Sequence, residues 1–136
     1  MATIVLDASV LIALVDASDV HHADAQATID RGRTSGDRFV VPVEAYAEYM
    51  VRSFEDDAAG PDFRDTLIEA IPATVEPASR SIGRLAASLR AKHGRRMPMP
   101  DALIVGTALD IDADLVITAD TGWPQMDVRV DVLNSA

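Results

Sequence analysis

Residues 101–120 read DALIVGTALDIDADLVITAD, and the two halves of this stretch obey different periods. After Asp101, apolar residues stand on most sides of a helical wheel: Ala102, Leu103, Ile104, Val105, Ala108, Leu109 and Ile111. A helix of that kind is buried on most sides. Leu115-Val116-Ile117-Thr118 is too short for a helix and rich in β-branched residues, so it reads as a buried strand. A buried helix feeding a buried strand is the repeating unit of α/β architecture.

The same alternation extends through the chain. Thr3–Leu6 predicts a strand, and Ser9 is placed to cap a short helix through Leu14. A helix is expected from about His22 to Arg31, ending near Gly32, and Phe39–Val41 is the next strand, ended by Pro42. Val43, Tyr46, Ala47, Met50, Val51 and Phe54 follow the spacing of one helical face. Another helix follows Pro61, with Phe63, Leu67, Ile68 and Ile71 inward. Ala73–Glu76 is a short strand, and Ile82, Leu85 and Leu89 mark a helix stopping at Gly94. Met97–Pro100 reads as extended, because each proline disfavours helix in the residue before it. Asp101 then opens the apolar helix, and Val128–Val132 is a last strand. This order predicts one α/β domain, residues 1–136, with a mostly parallel sheet covered on both faces.

Composition narrows the function. There are no cysteines, which excludes disulfides, thiolate zinc sites and cysteine nucleophiles. The first apolar run is interrupted by Asp7 and Asp16 and lacks a basic leader, so neither a signal peptide nor a membrane span is expected, and a cytoplasmic protein is. The formal net charge of −10, from 22 acids against 12 bases, argues against a simple phosphate-backbone binder. The bland reading is a solvated acidic surface. The alternative is that some acids hold divalent cations, which reverse the local field where a phosphate must sit.

The position of the acids bears on that choice. In parallel sheets, ligands bind outside the carboxyl ends of the strands. Asp7 directly follows the first strand, Asp120 lies two residues after Ile117-Thr118, and Asp101 stands at a helix start after an extended segment. Singly, Asp101 reads as an N-cap and the other two as turn residues. Together they point to one sheet edge, where unbalanced carboxylates suit Mg²⁺ or Mn²⁺. Glu44, Glu48 and Arg52 form an i, i+4, i+8 row, and periodicity alone does not choose between the two glutamates.

Four segments then carry a family resemblance: Ile4-Val-Leu-Asp7-Ala-Ser9, Val41-Pro42 with Ala47-Glu48, Pro100-Asp101-Ala-Leu-Ile104, and Ile117-Thr118-Ala-Asp120. In order and spacing they resemble the four motifs of PIN domains, especially the VapC-type toxins of toxin–antitoxin pairs. The resemblance spans nearly the whole chain. It implies a three-layer α/β/α sandwich and a Mg²⁺- or Mn²⁺-dependent endoribonuclease acting on RNA. It also implies a homodimer held inactive by a small antitoxin. By motif position Glu48 becomes the second acid beside Asp7, Asp101 and Asp120, and Ser9 and Thr118 support the site. Some members carry a further acid soon after the fourth aspartate; here Thr121, Gly122 and Trp123 follow, and Trp123 is expected to pack against the fold.

Other features weigh less. Asp110, Asp112 and Asp114 imitate the start of an EF-hand loop, but Leu115 and Thr121 stand where it needs glycine and glutamate. His21 and His22 read as surface or packing residues. Arg90, Lys92, His93, Arg95 and Arg96 form a basic cluster that serves either a helix C-terminus or an RNA backbone, and Arg90, Lys92, Arg95 and Arg96 are the candidate RNA contacts. An aspartyl-phosphate phosphatase needs a second acid where Ser9 stands, and a receiver domain needs a lysine at a late strand end, whereas Lys92 lies in a helical region. A non-catalytic PIN-like module that only binds a partner is the other alternative; loss of an acid would mark it, and all four are present.

Overall fold

The computed structural model of the chain describes residues 1–55 and 60–135. Its elements run β1 (Thr3–Leu6), α1 (Ala8–Val15), α2 (His22–Ser35), β2 (Arg38–Pro42), α3 (Val43–Met50), α4 (Gly60–Ala70), β3 (Thr74–Glu76), α5 (Arg80–His93), α6 (Met99–Asp110), β4 (Leu115–Thr118) and β5 (Arg129–Val132). Short 3₁₀ turns follow α3 at Val51–Phe54 and α5 at Gly94–Arg96.

The five strands form one sheet in the order β3-β2-β1-β4-β5, and every pair is parallel. Val5 of β1 sits opposite Val40 of β2 and Val116 of β4, all with zero exposure, so the sheet centre is buried on both faces. The chain steps outward from β1 to β2 to β3, then crosses back to β4. Right-handed crossovers therefore put α1–α4 on one face and α5 with α6 on the other, the expected three layers. The direction of winding reverses between β1 and β4, so a crevice opens at their carboxyl ends.

Several boundaries differ from the sequence reading, each for a local reason. Ser9 does not cap α1; Asp7 does, its Oδ1 accepting from Ala8 N at 2.8 Å. Helix α2 continues past Gly32 to Ser35 and ends at Gly36, whose φ of 73° is the left-handed cap conformation. Gly32 has a packing role instead: a Cβ there would lie 2.4 Å from Phe39 Cζ. Asp101 does not open α6. The helix starts at Met99 after Pro98, with Pro100 in its first turn, where a missing N–H costs nothing. The Met97–Pro100 segment is thus extended only as far as Pro98.

The inward face of α3 is also different. Ala45, Tyr49 and Met50 are buried, whereas Val43, Val51 and Phe54 are exposed. After Met50 the backbone tightens to 3₁₀, so the 3.6-residue period no longer predicts which way Val51 and Phe54 face. In α4, Arg64 takes the inward place expected for Phe63, which is half exposed. Arg64 Nη1 donates to Tyr49 O at 2.6 Å, Tyr49 Oη donates to Arg64 O at 3.1 Å, and the guanidinium lies 5.0 Å from the Tyr49 ring centroid. The amphipathic arginine takes a core position in which backbone oxygen and an aromatic face are among the groups that meet its charge.

No helix among the described residues is long and apolar enough to cross a membrane.

Candidate active site

Asp7 is the last buried residue of the β1 edge, with 8% exposure. Its backbone N–H donates to Ile117 O at 3.0 Å, which ties the end of β1 to the end of β4. Its Oδ1 caps α1, and its Oδ2 accepts from Ser9 Oγ at 3.0 Å and Thr118 Oγ1 at 2.7 Å. The two hydroxyls in turn accept from the backbone beyond β4. Ala119 N donates to Ser9 Oγ at 3.0 Å, and Asp120 N donates to Thr118 Oγ1 at 3.1 Å. One small network therefore fixes the first and fourth acidic segments relative to each other.

Asp120 is exposed at the mouth of the crevice. Its Oδ1 accepts from Gly122 N at 2.7 Å, closing a turn of its own. Asp101 stands in the first turn of α6, where its charge faces the positive end of the helix. Glu48 lies near the end of α3 and is exposed toward a cleft of about 620 Å³, lined also by Glu44, Val51, Pro98, Met99, Asp101 and Leu103.

Electrostatics shows that these acids share one field. Desolvation pushes the Asp101 carboxyl from 3.8 up to about 6, and the charges of Asp7, Asp120 and Glu48 push the same way. The Trp123 side chain opposes them with its N–H. Three acids from β1, α3 and the end of β4 thus act on a fourth at the start of α6. Among the described residues, none of the four forms an ion pair; the pair that does form is Arg129 with Asp131 at 3.0 Å, on the exposed outer strand.

The residues fit an oxygen-preferring cation in donor chemistry and in charge. The buried Oε2 of Glu44, in the wall of the same cleft, has no hydrogen-bond partner among the described residues. The fit is of an open site: among the described residues no three carboxylate or imidazole side chains already stand as a closed set around one point. Mutual repulsion of like charges works against such a set in the absence of an ion.

The sequence matches the PIN domain family over residues 4–129. The chain belongs to the PIN-domain family. No curated protein matches it by sequence. Solved structures match this PIN fold closely despite low identity. VapBC2 from Rickettsia felis, bound to a fragment of promoter DNA, superposes with a TM-score of 0.77 at 9% identity, covering 97% of this chain and 99% of that one. VapBC-1 from nontypeable Haemophilus influenzae gives 0.68 at 22% identity, covering 96% and 97%. VapC20 from Mycobacterium tuberculosis, described as a sarcin-ricin loop cleaving toxin, gives 0.63 at 17% identity, covering 83% and 86%.

Not every sequence candidate joins this site. His22 Nδ1 contacts Ala13 O of α1 at 2.7 Å, joining α2 to α1, and His21 Nδ1 contacts Asn134 O at 3.2 Å, so both histidines are engaged with backbone carbonyls. Arg90 and Lys92 lie in the last turn of α5, and Arg95 and Arg96 in the 3₁₀ turn that leads to α6. They precede the Asp101 segment in the chain without pairing with its acids. Sequence reasoning undervalued Glu44 and Trp123. Glu44 is one helical turn before Glu48 and shares its cleft; Trp123 follows Asp120 by three residues, within reach of the same edge.

Proposed function

We propose that this PIN domain, residues 1–136, is a Mg²⁺- or Mn²⁺-dependent endoribonuclease of the VapC type, the toxin of a toxin–antitoxin pair. The observation that carries the reading is the Asp101 carboxyl, held up near 6 by its burial and then by the charges of Asp7, Asp120 and Glu48, with no ion-pair partner among the described residues. Asp7, Glu48, Asp101 and Asp120 are the residues that would hold the cation. When bound, it would neutralise the scissile phosphate and make a water nucleophilic at neutral pH.

The chain's own groups do the positioning. Ser9 and Thr118 fix the Asp7 carboxylate by two hydrogen bonds to Oδ2. Their outward neighbours, Ala119 and Asp120, are held by the same hydroxyls, so the β4 end cannot drift from the β1 end. Arg90, Lys92, Arg95 and Arg96 supply the positive charge that an RNA backbone requires on an otherwise acidic protein. A homodimer fits the exposed apolar side chains on the α3–α4 side: Val51 is 50% exposed, Phe54 72% and Phe63 50%. A small antitoxin carrying an arginine would complement the acidic cleft and occupy the cation position. A cytoplasmic location follows from an RNA substrate.

Incubation of the purified chain with RNA tests the reading. Cleavage is expected with Mn²⁺, none in excess chelator, and none for Asp7→Asn with Mn²⁺. Full cleavage in chelator would remove the metal from the account. Absence of cleavage by the wild type across diverse RNAs, with intact partner binding, would leave a non-catalytic module.

A further inference from the structure

We propose that the groove between strand β5 and the connection leading into it seats one nucleobase of the RNA, beside the phosphate that is cut. The inference deepens the ribonuclease reading and rests on it. Parallel neighbours are usually joined through a helix that packs on the sheet. The connection from β4 to β5, residues 119–128, contains no helix. A groove of about 360 Å³ is left between this run and the strand. Val130 and Val132 alternate along β5, so they share one of its faces and form the floor. No helical residue lines the groove, and Val132 is left 42% exposed. Trp123, Pro124 and Met126 form the wall. Trp123 and Met126 also pack against the hydrophobic core, which anchors the wall from behind.

Position, charge and chemistry choose the occupant. Asp120 lines the groove, so the groove is continuous with the acids that would hold the cation at the scissile phosphate. In RNA, the group one sugar away from that phosphate is a base. The charged residues of the lining are Asp120 and Arg129, one of each sign, and Arg129 has Nε and Nη2 committed to Asp131 at 3.0 and 3.1 Å. On a chain of net charge −10 the groove is thus close to neutral, a match for an uncharged base rather than for a second phosphate or a basic peptide. Its volume lies at the small end of ligand sites, roughly 300–1,000 Å³, which suits a single base rather than a helix of a partner protein. Unpaired RNA is recognised by stacking its bases on side chains and hydrogen-bonding their edges. The apolar floor and wall serve the first need. The Gln125 amide, exposed in the lining, serves the second, since it carries both donors and an acceptor.

The chain has one tryptophan and it lines the groove, so its single ¹⁵N-correlated indole resonance reports occupancy. Titration of the metal-free chain with each of the four ribonucleosides should move that resonance saturably, with one nucleoside preferred. Gln125→Ala, at an exposed position, should weaken binding of the preferred nucleoside by about three- to tenfold. Val132→Phe fills the floor and should abolish the effect. In a random RNA pool cut in Mn²⁺, a base preference at one position beside the cut should flatten in Gln125→Ala. An indole resonance that no nucleoside moves, in a chain that cuts RNA in Mn²⁺, overturns the base site and leaves the ribonuclease reading intact. Nucleoside binding that both variants leave unchanged also overturns the base site. A resonance moved by the antitoxin and by no nucleoside overturns it too, and assigns the groove to a protein partner. Nucleoside binding lost in both variants of a chain that cuts no RNA supports the base site and overturns the ribonuclease reading.

Discussion

Thr118 Oγ1 donates a 2.7 Å hydrogen bond to Asp7 Oδ2, joining the ends of two adjacent parallel strands across 111 positions of sequence. The same hydroxyl accepts from Asp120 N, so one threonine holds both the first and the last acid of the site. This bond lies at the point where the sheet reverses its winding, between β1 and β4.

Replacing that hydroxyl should damage stability and site together. Thr118→Val keeps the shape but strands Asp120 N and removes one of the donors to a buried carboxylate. A loss of about 1–3 kcal/mol is expected, the cost of an unsatisfied buried group. Thr118→Ser restores the donor and should recover most of it. Denaturant unfolding of the three proteins checks this. Equal stability of Thr118→Val and wild type would show that the bond is incidental.

The two glutamates of α3 should separate cleanly. Glu48→Gln is expected to lower RNA cleavage by more than about 100-fold with the fold intact, since the side chain is exposed. Glu44→Gln should leave cleavage within about tenfold of wild type, because Glu44 is outside the motif position that Glu48 occupies. An inactive Glu44→Gln beside an active Glu48→Gln would displace the second acid by one helical turn.

Asp101 makes stability depend on pH and on the cation. Its folded-state pKa of about 6 lies above the ordinary 3.8, so the folded protein holds a proton that the unfolded chain has released. Stability from this group therefore falls as pH rises from about 4 to about 6 and stays low above that range. A cation that neutralises the acids should reverse the loss. The rise in melting temperature on adding Mn²⁺ should be larger at pH 7 than at pH 4.5, and metal-free Asp101→Asn should melt above wild type at pH 7. No capping bond is lost with Asp101, because α6 begins two residues earlier. An Asp101→Asn protein that melts below wild type at pH 7 would mean that this carboxylate is not under electrostatic strain.

Much of this was legible in the sequence, for physical reasons that differ by element. Short β-branched runs bounded by acids or prolines located all five strands; β1, β2 and β4 are largely buried, whereas the edge strands β3 and β5 are partly exposed. Asp7 and Asp120 were legible as strand-end acids. Helix α3 was misread because its apolar residues serve two surfaces. Tyr49 faces the core, whereas Val51 and Phe54 face outward after the backbone tightens to 3₁₀. Arg64 in the core was not legible, since its contacts include the Tyr49 ring and carbonyl supplied by another helix. Glu48 was chosen over Glu44 by motif position, and the field at Asp101 includes Glu48 among its sources. Trp123 was read as packing; its buried, partnerless N–H is a property of the folded loop that no spacing reveals.

The cut ends of an end-labelled RNA test the central claim most directly. Hydrolysis by water, with the 3′-oxygen as leaving group, needs carboxylates and a cation; attack by the RNA's own 2′-hydroxyl needs an acid–base pair, commonly histidines. His21 and His22 are occupied with backbone carbonyls, and His93 lies at the end of α5. In Mn²⁺ the account predicts 5′-phosphate and 3′-hydroxyl products, with cleavage surviving a 2′-deoxy substitution at the cut site. A 2′,3′-cyclic phosphate on the upstream product would contradict it.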